Sequence, residues 1–343
     1  MHSVHTDAQC VFSLQKYKKK LIYAKIICTF AKKVVILQRF MAKIGVFDSG
    51  YGGLTILKDI RRALPQYDYI YLGDNARAPY GTHSFDVIYR YTLQAVNYLL
   101  EQDCALIILA CNTASAKALR TIQEKDLPEI NRQRQSQGQC RKVNVLGVIR
   151  PTVEAVPAIT KTGHVGILAT PATVSSESYV LELKKIYSQS QGQSQQITVT
   201  QQACPMWVPL IEAGEHNSAG AKYFVGEYLR QILAKDPLID TLVLGCTHYP
   251  LLKARIDEWL AYHHEIEETE FPKPVDTPSV TTIAQGELEA ASLKDYLHRH
   301  PEYREQLSQG GTCVYLTTEN ADRFSQSASI FLDAPVSAQH IDL

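Results

Sequence analysis

The eight cysteines of this 343-residue sequence form no C-x-x-C pair and no short, regular framework. In a large chain without a convincing secretion signal, this pattern favours reduced thiols in a cytoplasmic protein over disulfides or a zinc knuckle. No apolar run reaches the roughly 20 residues of a membrane-spanning helix. No glycine-rich stretch has the spacing of a dinucleotide or Walker phosphate loop, so nucleotide binding is not predicted. The cysteines lie at positions 10, 28, 104, 111, 140, 204, 246 and 313.

The chain also has no net positive charge, since 35 Lys and Arg balance 35 Asp and Glu. Residues 1–40 hold eight of the basic residues against a single acid, Asp7, which leaves 27 basic and 34 acidic residues in the rest of the chain. An acidic body argues against a nucleic-acid surface. Met41-Ala42-Lys43 resembles a second start, so we expect residues 1–40 to be a disordered or loosely helical extension or a start-site artefact.

From Met41 onward, short β-branched runs alternate with longer segments of helical period, which predicts an α/β protein with parallel strands. Two polar segments, 131–141 and 188–196, are rich in Gln and Ser and are predicted to be flexible surface insertions. The predicted helices cover 54–63, 85–101, 113–125 and 219–234. The predicted strands cover 44–48, 67–72, 105–110, 143–148, 164–169, 197–201, 239–245 and 312–317.

A weak internal repeat relates two parts of the chain. The segment 106–113 (LIILACNT) can be laid on 241–248 (TLVLGCTH), and 44–47 resembles 165–168. In both copies, a buried strand ends in a small residue, a cysteine and a polar side chain, which predicts two related α/β halves. Open α/β sheets bind ligands at the carboxyl ends of their strands, so Cys111 and Cys246 are expected to meet in a cleft between the halves.

The two cysteines carry the strongest chemical signal. A helix N-terminus stabilises a thiolate and lowers a pKa that starts at roughly 8.5. A single cysteine in this position is more often a small core residue, but two in matching contexts favour chemistry. Racemisation at an α-carbon needs a base on one face and an acid on the other, and one thiolate with one thiol supplies that pair. His248 follows Cys246 by two residues and could tune or relay its proton, or it could simply start a helix.

Three further segments contain candidate residues for which a functional role and a purely structural role are both open. Asp48-Ser49-Gly50 follows the first strand, where Asp48 could move a proton or merely cap a helix. Pro79-Tyr80-Gly81 could grip a carboxylate or form an ordinary turn. Glu212 could assist a thiol or remain a solvated carboxylate.

Taken together, five motifs resemble the glutamate racemases of the aspartate/glutamate racemase family. They occur in the family's order and span most of the chain after residue 41. Their sequences are DSGYGGL at 48–54, GDNARAPYG at 73–81, ACNTAS at 110–115, VPLIE at 208–212 and GCTHYP at 245–250.

The resemblance implies two pseudo-symmetric parallel-sheet α/β domains with the active site in the cleft between them. It also implies interconversion of L- and D-glutamate without a cofactor or metal, to provide D-glutamate for peptidoglycan. Cys111 and Cys246 correspond to the two acid/base thiols, with Cys246 serving the L enantiomer and Cys111 the D, and Asp48, His248 and Glu212 correspond to assisting residues. The positions matching the family's substrate-binding residues, besides Asp48 and His248, are Ser49, Pro79, Tyr80, Gly81, Asn112, Thr113 and Thr247.

On this basis we expect a first domain over 41–147, a second over 148–264, a segment 265–320 that returns to the first domain, and a tail over 321–343. We expect a cytoplasmic homodimer whose partner is the small-molecule substrate, with no nucleic acid and no membrane. Three alternatives stay open: a relative acting on aspartate or a hydantoin, a two-lobed amino-acid binding protein without turnover, and a metal site built from Cys111, Cys246, His248 and Asp48.

Overall fold

Two parallel β-sheets organise the chain, as the alternating pattern predicts. The computed structural model describes residues 41–139, 141–190, 197–263 and 279–343, of which Lys43–Leu343 form one compact unit. The first sheet has the order β10-β9-β2-β1-β3-β4 and the second β6-β5-β7-β8. The strands are β1 (Lys43–Asp48), β2 (Tyr69–Gly73), β3 (Cys104–Leu109), β4 (Asn144–Gly147), β5 (His164–Ala169), β6 (Thr198–Ala203), β7 (Thr241–Gly245), β8 (Thr281–Ile283), β9 (Cys313–Thr317) and β10 (Ala338–His340).

The internal repeat is visible in the strand register. In the first sheet Ile44 of β1 pairs with Leu106 of β3. In the second sheet Val165 of β5 pairs with Thr241 of β7. These four residues are the ones that the repeat aligns, so the β1–β3 and β5–β7 pairs are equivalent in register as well as in sequence. The two cysteines therefore follow equivalent strands at the carboxyl end of each sheet.

Helices connect successive strands, as parallel pairing requires. A short helical turn (Leu119–Thr121) and a π-helical turn (Ile122–Asp126) join α3 to α4. The helices are α1 (Gly53–Ala63), α2 (Phe85–Glu101), α3 (Asn112–Lys117), α4 (Leu127–Ser136), α5 (Ile149–Ile159), α6 (Pro171–Ser175), α7 (Ser178–Ser190), α8 (Trp207–Glu212), α9 (Ala219–Lys235), α10 (Lys253–His263), α11 (Gly286–Arg299), α12 (Pro301–Arg304) and α13 (Ala321–Leu332).

The prediction of a flexible insertion over 131–141 is wrong for its first part. Residues up to Ser136 belong to α4, and the Asn131 carboxamide ties this helix to the chain before β4. It accepts from the Val143 amide at 2.9 Å and donates to the Val143 carbonyl at 3.1 Å. In the second predicted insertion, residues 188–190 end α7, and 191–196 lie outside the described residues, as does the predicted extension 1–40.

The C-terminal third contributes to both sheets. β8 pairs with β7, whereas β9 pairs with β2 and β10 with β9. Strands β8 and β10 and the helix Ala321–Leu332 were not predicted from the sequence. Each sheet packs an apolar core of its own, with Phe47 and Ile107 in one and Ile167 and Val243 in the other. The domain boundaries at residues 147, 264 and 320 stay predictions.

Within the described ranges, no helix combines the length and apolar character needed to cross a bilayer.

Candidate active site

Cys111 occupies the N-cap of α3, directly beyond the carboxyl end of β3. Its Sγ accepts from the Ala114 amide at 3.4 Å, so the thiol caps the short helix. It also lies 3.4 Å from Oγ of Ser49, which projects from the turn after β1. Burial, followed by the nearby Asp48 carboxylate, raises the pKa of the Cys111 thiol to about 12. The Ala114 amide at the helix N-terminus lowers this pKa, as expected, but burial and the neighbouring carboxylate outweigh it, so the net pKa is raised and not lowered.

Asp48 ends β1 and is buried beneath the turn that follows it. Its carboxylate accepts from the Gly50 amide at 3.0 Å and from Oγ1 of Thr247 at 3.5 Å. Thr247 follows Cys246, so this carboxylate links the turn after β1 to the cysteine-bearing turn after β7. Burial raises the pKa of Asp48, with the positive charge of His248 acting in the opposite direction. The residue is more than a helix cap, since α1 begins only at Gly53.

Cys246 directly follows β7 and sits beside a histidine–carboxylate pair. Its Sγ lies 3.9 Å from Nδ1 of His248, and Nε2 of His248 lies 3.0 Å from Oε1 of Glu212. Burial lowers the pKa of His248, but the hydrogen bonds to Cys246 and Glu212 outweigh it and raise that pKa to about 10. His248 is therefore a cation near neutral pH and lies beside Sγ of Cys246. The chain after Cys246 enters a 3-10 turn at Tyr249–Leu252, so this cysteine does not start an α-helix.

The glycines after Asp48 allow the first turn to approach the second cysteine. A β-carbon at position 52 would lie 2.4 Å from both Nδ1 of His248 and Oγ1 of Thr247. One at position 53 would lie 2.5 Å from Cβ of Asp48. Side chains at these positions would separate the two turns, so the glycines bring Asp48 and His248 together.

The structure gathers eleven of the twelve predicted site residues around one pocket and places the twelfth, Asp48, behind its wall. The two thiols lie close enough for a charge on Cys246 to raise the pKa of Cys111. The eleven lining residues are Ser49, Pro79, Tyr80, Gly81, Cys111, Asn112, Thr113, Glu212, Cys246, Thr247 and His248.

Several side chains that were expected to bind a ligand are already partnered. The Tyr80 hydroxyl donates to the buried Asp74 carboxylate at 2.5 Å, so the phenol is held within the protein. Oγ1 of Thr113 lies 3.0 Å from Oγ1 of Thr170. Ser49 and Thr247 also line the pocket, where their hydroxyls contact Cys111 and Asp48. The 79–82 turn adds its backbone to the same wall.

Eight residues that line the pocket were not among the predicted site residues, and three of them are informative. Cys204 follows β6 and is the third thiol that lines the pocket. Thr170 follows β5 and corresponds by the internal repeat to Ser49. Val208 lies in the VPLIE motif, which drew attention for its glutamate alone. The repeat could have identified Thr170, but Cys204 carries no distinguishing context in the sequence.

Among the described residues, no group of three or more His, Cys, Asp and Glu side chains is arranged to hold a metal ion.

Known proteins resemble this chain over most of its length. The family model described as Asp/Glu/Hydantoin racemase matches residues 44–264. A glutamate racemase from Ruegeria sp. (strain TM1040) is 38% identical over 299 residues, which cover 84% of this chain and 96% of the relative. The crystal structure of a glutamate racemase from Bacillus anthracis superposes with a TM-score of 0.71 at 30% identity, covering 88% of this chain and 98% of that one. A glutamate racemase from Francisella tularensis, solved in complex with D-glutamate, gives a TM-score of 0.69 at 29% identity, covering 88% and 97%.

Proposed function

This chain belongs to the Asp/Glu/hydantoin racemase family, and from that premise we propose that it interconverts L- and D-glutamate by moving the α-proton between two thiols. The observation that carries the proposal is the placement of Cys111 and Cys246 on one pocket with opposite charges beside them. A buried carboxylate and a raised pKa favour a neutral thiol at Cys111. The His248 cation stabilises negative charge on Sγ of Cys246.

The reaction then needs one proton transfer on each face of the substrate. In the L-to-D direction, the Cys246 thiolate takes the α-proton, and the electron pair of the broken C–H bond stays on the substrate as a carbanion. The Cys111 thiol gives its proton to the opposite face. The enzyme is left with a thiol at Cys246 and a thiolate at Cys111, which is the state that accepts D-glutamate. Charge and protons balance within this turnover, and proton exchange with water then restores the thiolate at Cys246 and the thiol at Cys111.

Groups around the pocket support binding of a dicarboxylic amino acid. Backbone amides of residues 80–82 and the Ser49 hydroxyl can donate to carboxylates. The Asn112 carboxamide faces the same space. Closure around the substrate excludes water, which strengthens these dipoles and limits loss of the proton in flight. The solved relative from Francisella tularensis holds D-glutamate, which favours this substrate over others.

We further propose that the D-glutamate supplies peptidoglycan synthesis, that the enzyme acts in the cytoplasm, and that it is a homodimer.

The substrate assignment is tested by incubating the purified chain with L-glutamate, D-glutamate, L-aspartate and a 5-substituted hydantoin, and following each by chiral chromatography. We expect both glutamate enantiomers to approach a one-to-one mixture and the other compounds to stay unchanged. Turnover of aspartate or the hydantoin in preference to glutamate would reassign the substrate. Binding of glutamate in calorimetry without turnover would instead indicate a binding protein.

A further inference from the structure

A buried polar cluster lies behind Asn112, away from the reacting thiols. It consists of Asn112, Tyr179 and Gln285, which are at most 2% exposed. They come from three distant parts of the chain: the start of α3, the start of α7 and the residue before α11. Polar groups buried this deeply are costly unless they are hydrogen-bonded, so their partners define what the cluster does.

The cluster holds the Asn112 carboxamide at both ends. The Tyr179 hydroxyl donates to Oδ1 of Asn112 at 2.7 Å, and Nδ2 of Asn112 donates to Oε1 of Gln285 at 2.6 Å. Each end of the carboxamide retains one further donor or acceptor site for a ligand. Asn112 also lines the pocket, so its orientation is set from behind and its remaining sites are presented in front.

Gln285 is anchored in turn by the second half of the molecule. Its Nε2 donates to Oγ1 of Thr152 at 2.9 Å and to the Tyr179 hydroxyl at 3.0 Å, and it lies 3.3 Å from the Val148 carbonyl. With Oε1 occupied by Asn112, the glutamine amide has a single compatible orientation. The network therefore uses both the amide oxygen and the amide nitrogen of the glutamine at this position.

Tyr179 also connects the two cysteine-bearing turns. Its hydroxyl reaches Asn112, which follows Cys111. Its ring packs on Gly245, which precedes Cys246, since a β-carbon at position 245 would lie 3.3 Å from Cε2 of the tyrosine. The ring is close enough to Cys246 for charge on that sulfur to contribute to the raised pKa of Tyr179, although burial is the main cause.

We propose that Tyr179 and Gln285 are positioning residues, which hold the Asn112 carboxamide in one orientation and thereby fix how the substrate's α-carbon sits between the two thiols. The inference rests on the proposed racemase function. Tyr179 and Gln285 therefore affect turnover by orienting Asn112 and not by acting on the thiols directly.

A double-mutant cycle tests this route. Tyr179→Phe removes only the hydroxyl and keeps the ring on Gly245, and Gln285→Met keeps the length without the amide. Each is expected to lower kcat/KM for glutamate roughly tenfold, the order of one hydrogen bond. In an Asn112→Ala background, neither should cause a further loss, because the group through which they act is gone. Losses that multiply in that background would overturn the proposal.

Tyr187→Phe is the matched control, since Tyr187 is buried on the same helix eight residues further along. Its kcat/KM should stay within about twofold of the wild type.

If Asn112→Ala does not fold, Asn112→Asp replaces it. Aspartate still accepts from Tyr179 but has no donor for Gln285, so Gln285→Met should then add no loss whereas Tyr179→Phe should; the reverse order would contradict the proposal. An inactive wild type refutes the racemase function itself, whereas an active wild type with multiplying losses refutes only the positioning role.

Discussion

Cys111 and Cys246 occupy equivalent positions in two related halves, but their surroundings carry opposite charges. Cys111 has the Asp48 carboxylate nearby and a pKa raised to about 12. Cys246 has His248 at 3.9 Å, whose own pKa is raised to about 10 by contacts that include Glu212. The repeated strands place two similar groups on one pocket. In the mechanism that we propose, the non-repeated residues around them make Cys111 the acid and Cys246 the base in the L-to-D direction.

Loss of either sulfur is the largest change that this comparison predicts. Cys111→Ala and Cys246→Ala should each lower racemisation at least about a thousandfold, because one face of the α-carbon then has no proton donor or acceptor. Cys204→Ala is the matched control, since this thiol lines the same pocket but has no assigned transfer. Rates measured by chiral chromatography should remain near the wild-type value in that variant. Retained racemisation without Cys111 or Cys246 would refute the assignment.

Replacing Asp48 or His248 should affect proton transfer differently on the two faces of the substrate's α-carbon. Asp48→Asn and His248→Asn are each expected to lower turnover roughly a hundredfold by removing the charge beside one thiol. Because enantiomers are equally stable, kcat/KM must stay equal in both directions, so the asymmetry has to be read from isotope effects. With α-deuterated substrates, the His248 variant should show the larger increase for L-glutamate and the Asp48 variant for D-glutamate. Equal increases in both directions would mean that the two residues do not serve separate thiols.

The loss of activity at high pH should reflect deprotonation of His248. The proton on His248 is retained below a pKa of about 10 in the folded enzyme, so turnover should fall as the pH rises through that value. Glu212 helps to raise this pKa, and Glu212→Gln should therefore move the alkaline limb of the kcat/KM profile, which reports the free enzyme, to lower pH. The profile is measured from pH 6 to pH 11 with both enantiomers. An unchanged limb would show that another group sets it.

The smallest effect concerns the packing of His248 against the C-terminal helix. The ring of Phe331 contacts His248 edge-on with 5.7 Å between centroids. Phe331→Ala should admit water, relieve the burial that lowers the pKa of His248, and move the alkaline limb slightly upward, opposite to Glu212→Gln. Turnover should fall by less than about tenfold. Ile330→Ala, on the exposed side of the same helix, is the control and should leave the profile unchanged. A downward shift in the Phe331 variant would contradict the burial argument.

The sequence predicted the central strands and the paired thiols because both depend on local patterns. Buried strands such as β3 and β7 are continuous apolar runs, and their shared ending in cysteine made the repeat visible. β8 and β10 have three residues each, too few for a period. α4 is polar and largely exposed, so its helical period was hidden. The pKa of Cys111 depends on burial beside Asp48, and the roles proposed for Tyr179 and Gln285 depend on contacts across more than 60 residues, which no local pattern encodes.

Racemisation in heavy water, stopped early from each pure enantiomer, tests the two-thiol account most directly. A thiol on each face delivers solvent-derived hydrogen only to the product, so deuterium should appear at the α-carbon of the newly formed enantiomer and be absent from recovered substrate in both directions. Equal early labelling of substrate and product would mean that one base exchanges its proton and serves both faces, which would contradict the account.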